Sequence, residues 1–216
     1  MRGLFLAFAL GLGGAVLGGC GGDTERPASD CPGPGCECVT TDCTCASGSS
    51  CQVDCGELDP VDMICNVDCP PSGSCGLQCI GDCDANCEAG ADCDITVGAG
   101  GNADCEAGSV CDVQLDATAD ADCTAADCRI SAEADSSIGC VDGATCDVTA
   151  GAGSEVDCES SSTCALRVGT GSQVECDADA TCTIACDGSC EVSCGGECSL
   201  QCAGDEAQTV TGDASC

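Results

Sequence analysis

Cysteine is the residue whose chemistry dominates this chain, since 31 of its 216 residues are cysteine. A thiolate metal site or a dithiol redox centre usually places two cysteines two residues apart, as C-x-x-C. That spacing occurs nowhere in the sequence, and there is no histidine to complete a mixed metal site. The spacing therefore disfavours zinc-type sites and dithiol catalysis, and it leaves disulfide bonds as the expected use of most of these thiols.

Other catalytic arrangements are also missing from the sequence. Acyl transfer by serine or threonine needs a general base, and the chain has neither histidine nor lysine. A carboxylate pair for glycoside cleavage could be drawn from the 38 acidic residues, but no aromatic residue follows Phe8 to stack a sugar ring. We therefore expect a protein that is not an enzyme, with no catalytic residues and no cofactor.

Acidic residues are the second unusual group, and they give the chain a formal net charge of −34. Such a surface repels nucleic acid and anionic lipid headgroups, so no nucleic-acid partner is expected. The segments DCDANCEAGADCD (82–94) and DATADAD (116–122) cluster oxygen ligands, yet neither matches an EF-hand or a nonapeptide calcium repeat. We expect a solvated acidic coat, with at most weak binding of divalent cations such as Ca²⁺.

The first twenty residues, MRGLFLAFALGLGGAVLGGC, have the layout of a secretory signal peptide, with a positive charge, an apolar run and a small-residue exit. The segment Leu17–Cys20, LGGC, resembles the lipobox of bacterial lipoproteins. The resemblance implies a signal peptide over residues 1–19, cleavage before Cys20, and acylation of that cysteine as an anchor in a lipid bilayer. Gly21 stands where inner-membrane retention usually requires Asp, so the resemblance implies the outer membrane of a bacterial cell envelope. An ordinary secreted protein is the alternative.

Export changes how the other cysteines are interpreted. After Cys20 and a polar tether (20–30), thirty cysteines remain, an even number that can form fifteen disulfides. An exported chain this rich in cysteine is typically a disulfide framework. The short pairs Cys36/Cys38 and Cys43/Cys45 resemble those of metallothioneins, and they keep thiolate metal binding open as an alternative.

Large apolar residues are scarce after the signal peptide, and the chain has no Trp or Tyr. Burying a Val or Leu side chain contributes only about 1.5–3 kcal/mol, whereas ordering one residue costs about 1–2 kcal/mol. A core of Ala, Val and Cys must therefore be thin. Closed disulfide loops restrain the unfolded chain by about 2–4 kcal/mol each, and we expect them to supply the missing stability.

From Cys87 the sequence repeats with a period of eighteen, as in CEAGADCDITVGAGGNAD and CEAGSVCDVQLDATADAD. Apolar residues alternate within each copy, which indicates strands with one buried face. Strands that recur at a fixed period predict an all-β fold, a parallel β-solenoid over residues 87–182 with one copy per rung and little or no helix outside the signal peptide. This period is also that of a triangular left-handed β-helix, although handedness does not follow from it.

The third copy, CTAADCRISAEADSSIG, is shorter by one residue, and the missing residue falls between its two cysteines. A deletion inside a strand would move every later side chain to the wrong face, so each cysteine pair brackets a loop. A compact loop can bring two Cα atoms within about 5–6 Å, as a disulfide requires. Bonds between rungs about 4.8 Å apart are the rival pattern. The predicted pairs are Cys87–Cys93, Cys105–Cys111, Cys123–Cys128, Cys140–Cys146, Cys158–Cys164 and Cys176–Cys182.

The two flanks of the repeat have a different rhythm, with five-residue units such as CNVDC and CEVSC. Because both cysteines of a unit face the same side of a strand, each must pair with a neighbouring strand. We interpret residues 31–86 and 183–216 as cysteine-rich caps that close the open ends of the solenoid.

Disulfide-stapled solenoids with small cores resemble insect antifreeze proteins, which carry a flat ladder of Thr-x-Thr. The sequence has one such motif, at Thr181–Thr183, so ice binding is not expected. The same alignment of copies places Arg129 between Asp112 and Asp147 in an outward column, where it would relieve repulsion between the acids.

Over its whole length the chain resembles, in general character, the cysteine-rich lipoproteins of soil deltaproteobacteria. No motif in the chain indicates an activity. We expect a rigid, acidic, disulfide-rich scaffold or a display or adhesion module at the cell surface, with an unknown protein partner. A metal-sequestering envelope protein, using thiolates or carboxylates, is the alternative.

Overall fold

The computed structural model of the chain describes residues 36–39, 42–54, 65–81 and 83–216. The predicted signal peptide (1–19), Cys20 and the tether (20–30) lie outside these residues. The described part contains β-strands and no helix. The strands are β1 Cys36–Val39, β2 Asp42–Cys45, β3 Ser49–Asp54, β4 Cys65–Cys69, β5 Ser74–Ile80, β6 Cys83–Cys87, β7 Asp92–Val97, β8 Asn102–Cys105, β9 Val110–Leu115, β10 Asp120–Thr124, β11 Asp127–Ala132, β12 Ser137–Val141, β13 Thr145–Ala150, β14 Glu155–Cys158, β15 Thr163–Val168, β16 Ser172–Cys176, β17 Thr181–Cys186, β18 Cys190–Cys202 and β19 Gln208–Ser215.

Strand β9, VCDVQL, shows why these segments fold as strands. Its side chains alternate between exposed and buried, with Cys111, Val113 and Leu115 buried. A period of two places every second side chain on the same face of an extended chain, so one face of each strand is apolar. Strands β13 and β15 show the same alternation.

Each rung contributes two strands, and each strand pairs in parallel with its equivalent in the next rung. One ladder contains β3, β5, β7, β9, β11, β13, β15, β17 and the second half of β18, and we call it the arginine face because Arg129 and Arg167 lie on it. The other contains β2, β4, β6, β8, β10, β12, β14, β16 and the first half of β18, and we call it the acidic face. The prediction of an all-β parallel solenoid with one copy of the repeat per rung is confirmed.

The short third repeat keeps its register in the way that the sequence predicts. Cys128 lies opposite Cys111 on one side and Cys146 on the other. Only Ala125 and Ala126 separate β10 from β11, and Ala125 turns the chain with a φ of 49°. The missing residue therefore falls in the loop.

The number of sides differs from that of a triangular β-helix. Each rung of the repeat has two strands, one on each face, and the remaining residues form the loops at the two edges. A residue count fixes the length of a turn, but the positions of the bends depend on where turn residues occur. The solenoid is therefore flattened, with its core between two sheet faces.

The parallel ladders also extend beyond residues 87–182 into both predicted caps. On the N-terminal side Cys65 and Cys69 of β4 lie opposite Cys83 and Cys87 of β6. The five-residue units alternate in the same way as the rungs, so they join the same ladders instead of forming a separate structure. Antiparallel pairing is found only at the ends of the described sheet, where β1 pairs with β2 and β19 with β18. The described strands of these two segments are therefore largely further rungs. At one end β1 pairs with β2, and at the other β19 pairs with both halves of β18.

The core is a thin layer of small residues between the two faces. One column of buried apolar side chains runs along the arginine face and another runs along the acidic face. The first column is Ile95, Val113, Ile130, Val148, Leu166 and Ile184, and the second is Ala103, Ala121, Ile138, Val156, Val174 and Val192, all buried. Cysteines fill much of the remaining interior, as the composition predicts.

The turn from the arginine face back to the acidic face depends on close backbone stacking. A Cβ atom on Gly169 would lie 2.6 Å from the backbone nitrogen of Ala152 in the rung below. Buried serines satisfy backbone carbonyls at this edge: Ser172 Oγ donates to the Gly151 carbonyl at 3.2 Å, and Ser136 Oγ donates to the Glu133 carbonyl at 3.2 Å. Small residues are needed here because successive turns stack directly on one another.

Candidate functional site: an acidic sheet face on a stapled scaffold

The structure brings together all six cysteine pairs that the repeat suggests. Each bond joins the last cysteine of a strand on the acidic face to the first cysteine of the next strand on the arginine face. The Cα–Cα distances are 6.1 Å for Cys87–Cys93, 6.6 Å for Cys105–Cys111, 6.4 Å for Cys123–Cys128, 6.6 Å for Cys140–Cys146, 6.5 Å for Cys158–Cys164 and 6.5 Å for Cys176–Cys182. The bonds staple one edge of every rung in this segment, and they run across the loops and not between rungs.

Further disulfides are present in the flanking rungs. Cys69–Cys75 and Cys194–Cys198 close the same edge as the six repeat pairs, whereas Cys79–Cys83 and Cys186–Cys190 close the opposite edge. Within residues 69–216 every cysteine is bonded, and the additional pairs are Cys69–Cys75, Cys79–Cys83, Cys186–Cys190, Cys194–Cys198 and Cys202–Cys216. This density of disulfides indicates an oxidising, extracytoplasmic environment.

Among the cysteines whose side chains the structure describes, Cys45 has the one free thiol, so the expected pairing of every cysteine except Cys20 does not hold there. Its sulfur is buried and donates to the Ser49 carbonyl at 3.6 Å. Burial raises the pKa of the Cys45 thiol, so little thiolate forms at neutral pH. The neighbouring Cys43 of the C-x-C pair is disulfide-bonded.

The acidic face presents two outward columns whose residues lie about 4.8 Å apart from rung to rung. Every rung except that of Ser137 and Gly139 places at least one carboxylate in them. One column is Asp42, Asn66, Asp84, Asn102, Asp120, Ser137, Glu155, Gln173 and Glu191, and the other is Thr44, Asp68, Asn86, Asp104, Asp122, Gly139, Asp157, Glu175 and Ser193. Amides interrupt the acids at several rungs: Asn66 Nδ2 donates to Asp42 Oδ1 at 3.0 Å, and Asn86 Nδ2 donates to Asp68 Oδ1 at 2.8 Å. The alternation reduces repulsion because an amide donor stands between like charges.

In the second of these columns the carboxyl pKa is raised at two positions, Asp122 and Asp157. Burial, followed by the charges of Asp104 and Asp120, raises the pKa of Asp122. Burial also raises the pKa of Asp157, and the carboxylates of Glu155 and Glu175 add to the effect. In both cases burial of the carboxyl is the larger cause of the raised pKa, and neighbouring carboxylates on the same strand and on the next rung add to it.

A groove of about 530 Å³ lies on the acidic face next to β19. Five carboxylates line it, from Glu155, Asp157, Glu175, Glu191 and Asp213. Ser193 Oγ donates to Asp213 Oδ1 at 3.3 Å, which ties the wall formed by β19 to the face. A groove of this composition can attract cations or basic groups.

The raised pKa of Asp157 predicts stability that increases as the pH falls. Because the folded state binds this proton more tightly than the unfolded state, the stabilisation is complete below the unfolded pKa and is lost as the pH rises through the raised folded value. Asp157→Asn should therefore raise the melting temperature at pH 7, by only about 1–2 °C since solvent screens a half-exposed group. Thermal unfolding at pH 7 and pH 4 checks this, with the exposed turn residue Asp142→Asn as the control for loss of one charge. A gain in Asp142→Asn equal to that in Asp157→Asn would contradict it.

The arginine face holds the two ion pairs found among the described residues. Arg129 lies between Asp112 and Asp147 in register, as the sequence predicts, and its Nη1 is 3.9 Å from Asp112 Oδ2. Arg167 forms a bidentate salt bridge with Asp187, with Nε–Oδ2 and Nη2–Oδ1 distances of 2.8 Å. This second pair does not follow from the repeat, because Asp187 lies in a turn after β17 and outside the columns of the repeat.

The positive charge of Arg129 should contribute more to the stability of the fold than its contact with Asp112 does. Arg129→Glu would place a third carboxylate between Asp112 and Asp147, and we expect a loss of about 0.5–1 kcal/mol in the free energy of unfolding at low salt. The loss should shrink in 1 M NaCl, since salt screens exposed charges. Urea unfolding at both salt concentrations measures it. Ser131→Glu, on the same strand between Gln114 and Thr149, is the matched control and should cost less.

A column of threonines on the arginine face was also missed. Thr145, Thr163 and Thr181 stand in register immediately before the second cysteine of three rungs. The adjacent outward column reads Asp147, Ala165 and Thr183, so the threonines do not extend into a Thr-x-Thr array. The signal was present in the repeated TC dipeptide of these copies.

No helix in the described part of the chain is long and apolar enough to span a bilayer. No protein family, curated protein or solved structure matches the chain.

Proposed function

We propose that this protein is a bacterial envelope lipoprotein, anchored in the outer membrane through acylated Cys20, that presents a stiff acidic solenoid as a scaffold or as a display or adhesion module. The observation that carries the proposal is the staple in every rung from β6 to β18. A chain with this little apolar core gains shape persistence from closed loops. A non-enzymatic role is consistent with such a design.

The closed C-terminal end supports a role as a discrete module. An open solenoid edge would expose unpaired backbone groups and invite pairing with another chain. Strand β19 covers both halves of β18, and Cys202–Cys216 fastens the segment that carries β19. The module is therefore built to present its faces and not to polymerise through its C-terminal end.

The acidic surface supports presentation away from the bilayer. With a formal charge of −34 the chain repels anionic headgroups, so an acylated N-terminus would hold it near the membrane while the solenoid stays in solvent. The carboxylate columns favour a cationic or basic partner, and they would hold divalent cations only weakly.

Metal sequestration is the alternative function, and the disulfides weigh against its thiolate form. A thiolate ligand must be reduced, whereas every cysteine within residues 69–216 is in a disulfide. These sulfurs are therefore committed to the scaffold in the oxidised protein.

The anchor can be tested by expressing the full chain in a Gram-negative host with labelled palmitate. The wild type should take up the label and sediment with membranes, and Cys20→Ala should do neither. Cys45→Ala, which removes a cysteine with a free thiol, is the matched control and should behave as the wild type. Label in Cys20→Ala, or an unlabelled wild type, would overturn the proposed anchor.

A further inference from the structure

One disulfide differs from the rest in its exposure. Every bonded cysteine between Cys69 and Cys198 is buried, whereas Cys202 and Cys216 are both partly exposed. Within this part of the chain an external thiol can therefore reach Cys202–Cys216 more easily than any other disulfide. Access of the attacking thiolate is one of the factors that set the rate of thiol–disulfide exchange.

The same disulfide lies beside a buried one. The sulfurs of Cys186, Cys190 and Cys216 all lie within 4.8 Å of one another, although Cys186 is bonded to Cys190 and Cys216 to Cys202. The backbone N–H of Cys216 donates to the Cys190 carbonyl at 3.2 Å, which holds Cys216 next to that bond. A thiolate formed at Cys216 would therefore be within a small displacement of a second disulfide.

We propose that Cys202–Cys216 and Cys186–Cys190 form a thiol–disulfide exchange site whose substrate is an external thiol, either a small thiol such as glutathione or the thiolate of a protein reductant. This inference goes beyond the scaffold function, because it gives the fold a chemical activity at one end.

The exchange proceeds in two balanced steps. The external thiolate attacks Cys202 Sγ, forms a mixed disulfide with Cys202, and releases Cys216 as a thiolate. The Cys216 thiolate then attacks Cys190 Sγ, so that a Cys190–Cys216 bond forms, the Cys186–Cys190 bond breaks, and Cys186 leaves as a thiolate that takes a proton from water. No electrons are gained or lost overall, since one external thiol is consumed and one protein thiol appears.

The consequence for the structure is a change of connection for the segment bearing β19 and the opening of one staple, Cys186–Cys190. Before exchange the segment bearing β19 is tied to Cys202, and afterwards it is tied to Cys190 in the preceding half of β18. The other staples stay closed, so the rungs remain folded while the external thiol is captured on Cys202.

A variant that starts with a free thiol tests the second step directly. In Cys202→Ser the Cys216 thiol has no partner, and incubation of the folded full chain at pH 8 should move the free thiol to Cys186 with formation of a Cys190–Cys216 bond. Rapid alkylation, proteolysis at acidic residues and mass spectrometry locate both. We expect the label on Cys186 to exceed that on any other buried cysteine at least about tenfold.

The matched control removes one cysteine from a buried staple. Cys140 and Cys146 belong to no group of three close sulfurs among the described residues, so in Cys140→Ser the label should stay on Cys146. Label confined to Cys216 in Cys202→Ser, or label spread over many cysteines in both variants, overturns the proposal.

The wild-type chain gives an independent result if Cys202→Ser does not fold. After exposure to glutathione, we expect glutathione on Cys202 and the free thiol on Cys186. A free thiol that stays on Cys216 would contradict the second step.

Discussion

Complete reduction of the disulfides should unfold the solenoid at a temperature where the oxidised chain is stable. Each closed loop of about seven residues restrains the unfolded chain by about 2–3 kcal/mol, whereas a folded domain is stable by only about 5–15 kcal/mol in total. Within residues 69–216 eleven staples are lost at once. Far-UV circular dichroism before and after reduction and alkylation measures the effect.

A single staple should show the same effect at a smaller scale. Replacing both cysteines in Cys158→Ala/Cys164→Ala avoids a stray thiol, and we expect a loss of about 2–3 kcal/mol in the free energy of unfolding. For the fully reduced and alkylated chain, an unchanged β-strand signal in circular dichroism would contradict this account, because it would show that the thin core is stable without disulfides.

The second large effect is expected at Ile130 in the central column of the core. Its side chain is 2% exposed and lies between Val113 and Val148 of the neighbouring rungs. Ile130→Ala should lower the free energy of unfolding by about 2–5 kcal/mol, because the neighbouring columns are fixed by the ladder and cannot collapse into the cavity.

Chemical unfolding of the oxidised protein measures this loss, with Ser131→Ala as the control. Ser131 is the next residue of the same strand and is exposed, so its substitution should stay within about 0.5 kcal/mol of the wild type. Equal losses in the two variants would contradict a core that depends on this column.

The fold was largely predictable because two independent patterns in the sequence indicate the repeat. The fixed period gave the rungs, and the alternation around Val113 and Ile130 gave the strands. The one deletion, between Cys123 and Cys128, showed which segment was a loop. The position of Arg129 between two acids followed from these patterns alone.

What could not be predicted depends on where the chain bends. A rung of this length fits either two or three sides, and the structure has two. The five-residue flanking units, such as the one from Cys65 to Cys69, indicate separate caps when the sequence is considered alone, because the segments between them differ from the loops of the repeat. Their strands nevertheless have the same alternation as the strands of the repeat. The pair Arg167–Asp187 joins a strand to a turn, and no column of the repeat contains both residues.

For the acidic face, too, the composition could be predicted from the sequence but the arrangement of the charges could not. The charge of the chain is evident from the sequence, but two strands of each rung could carry it. The structure collects Asp104, Asp122, Asp157 and Glu175 into one column. Burial is the larger cause of the raised pKa values of Asp122 and Asp157, and the charges that this register brings close add to it.

The central claim, that each rung is stapled across its own loop, is tested most directly by a disulfide map of the exported, unreduced protein. Alkylation without reduction, proteolysis at acidic residues and mass spectrometry should find Cys140 bonded to Cys146, Cys158 to Cys164 and Cys176 to Cys182, with no metal bound to these sulfurs. Bonds that join equivalent cysteines of successive rungs, or free thiols with stoichiometric metal, would contradict the claim.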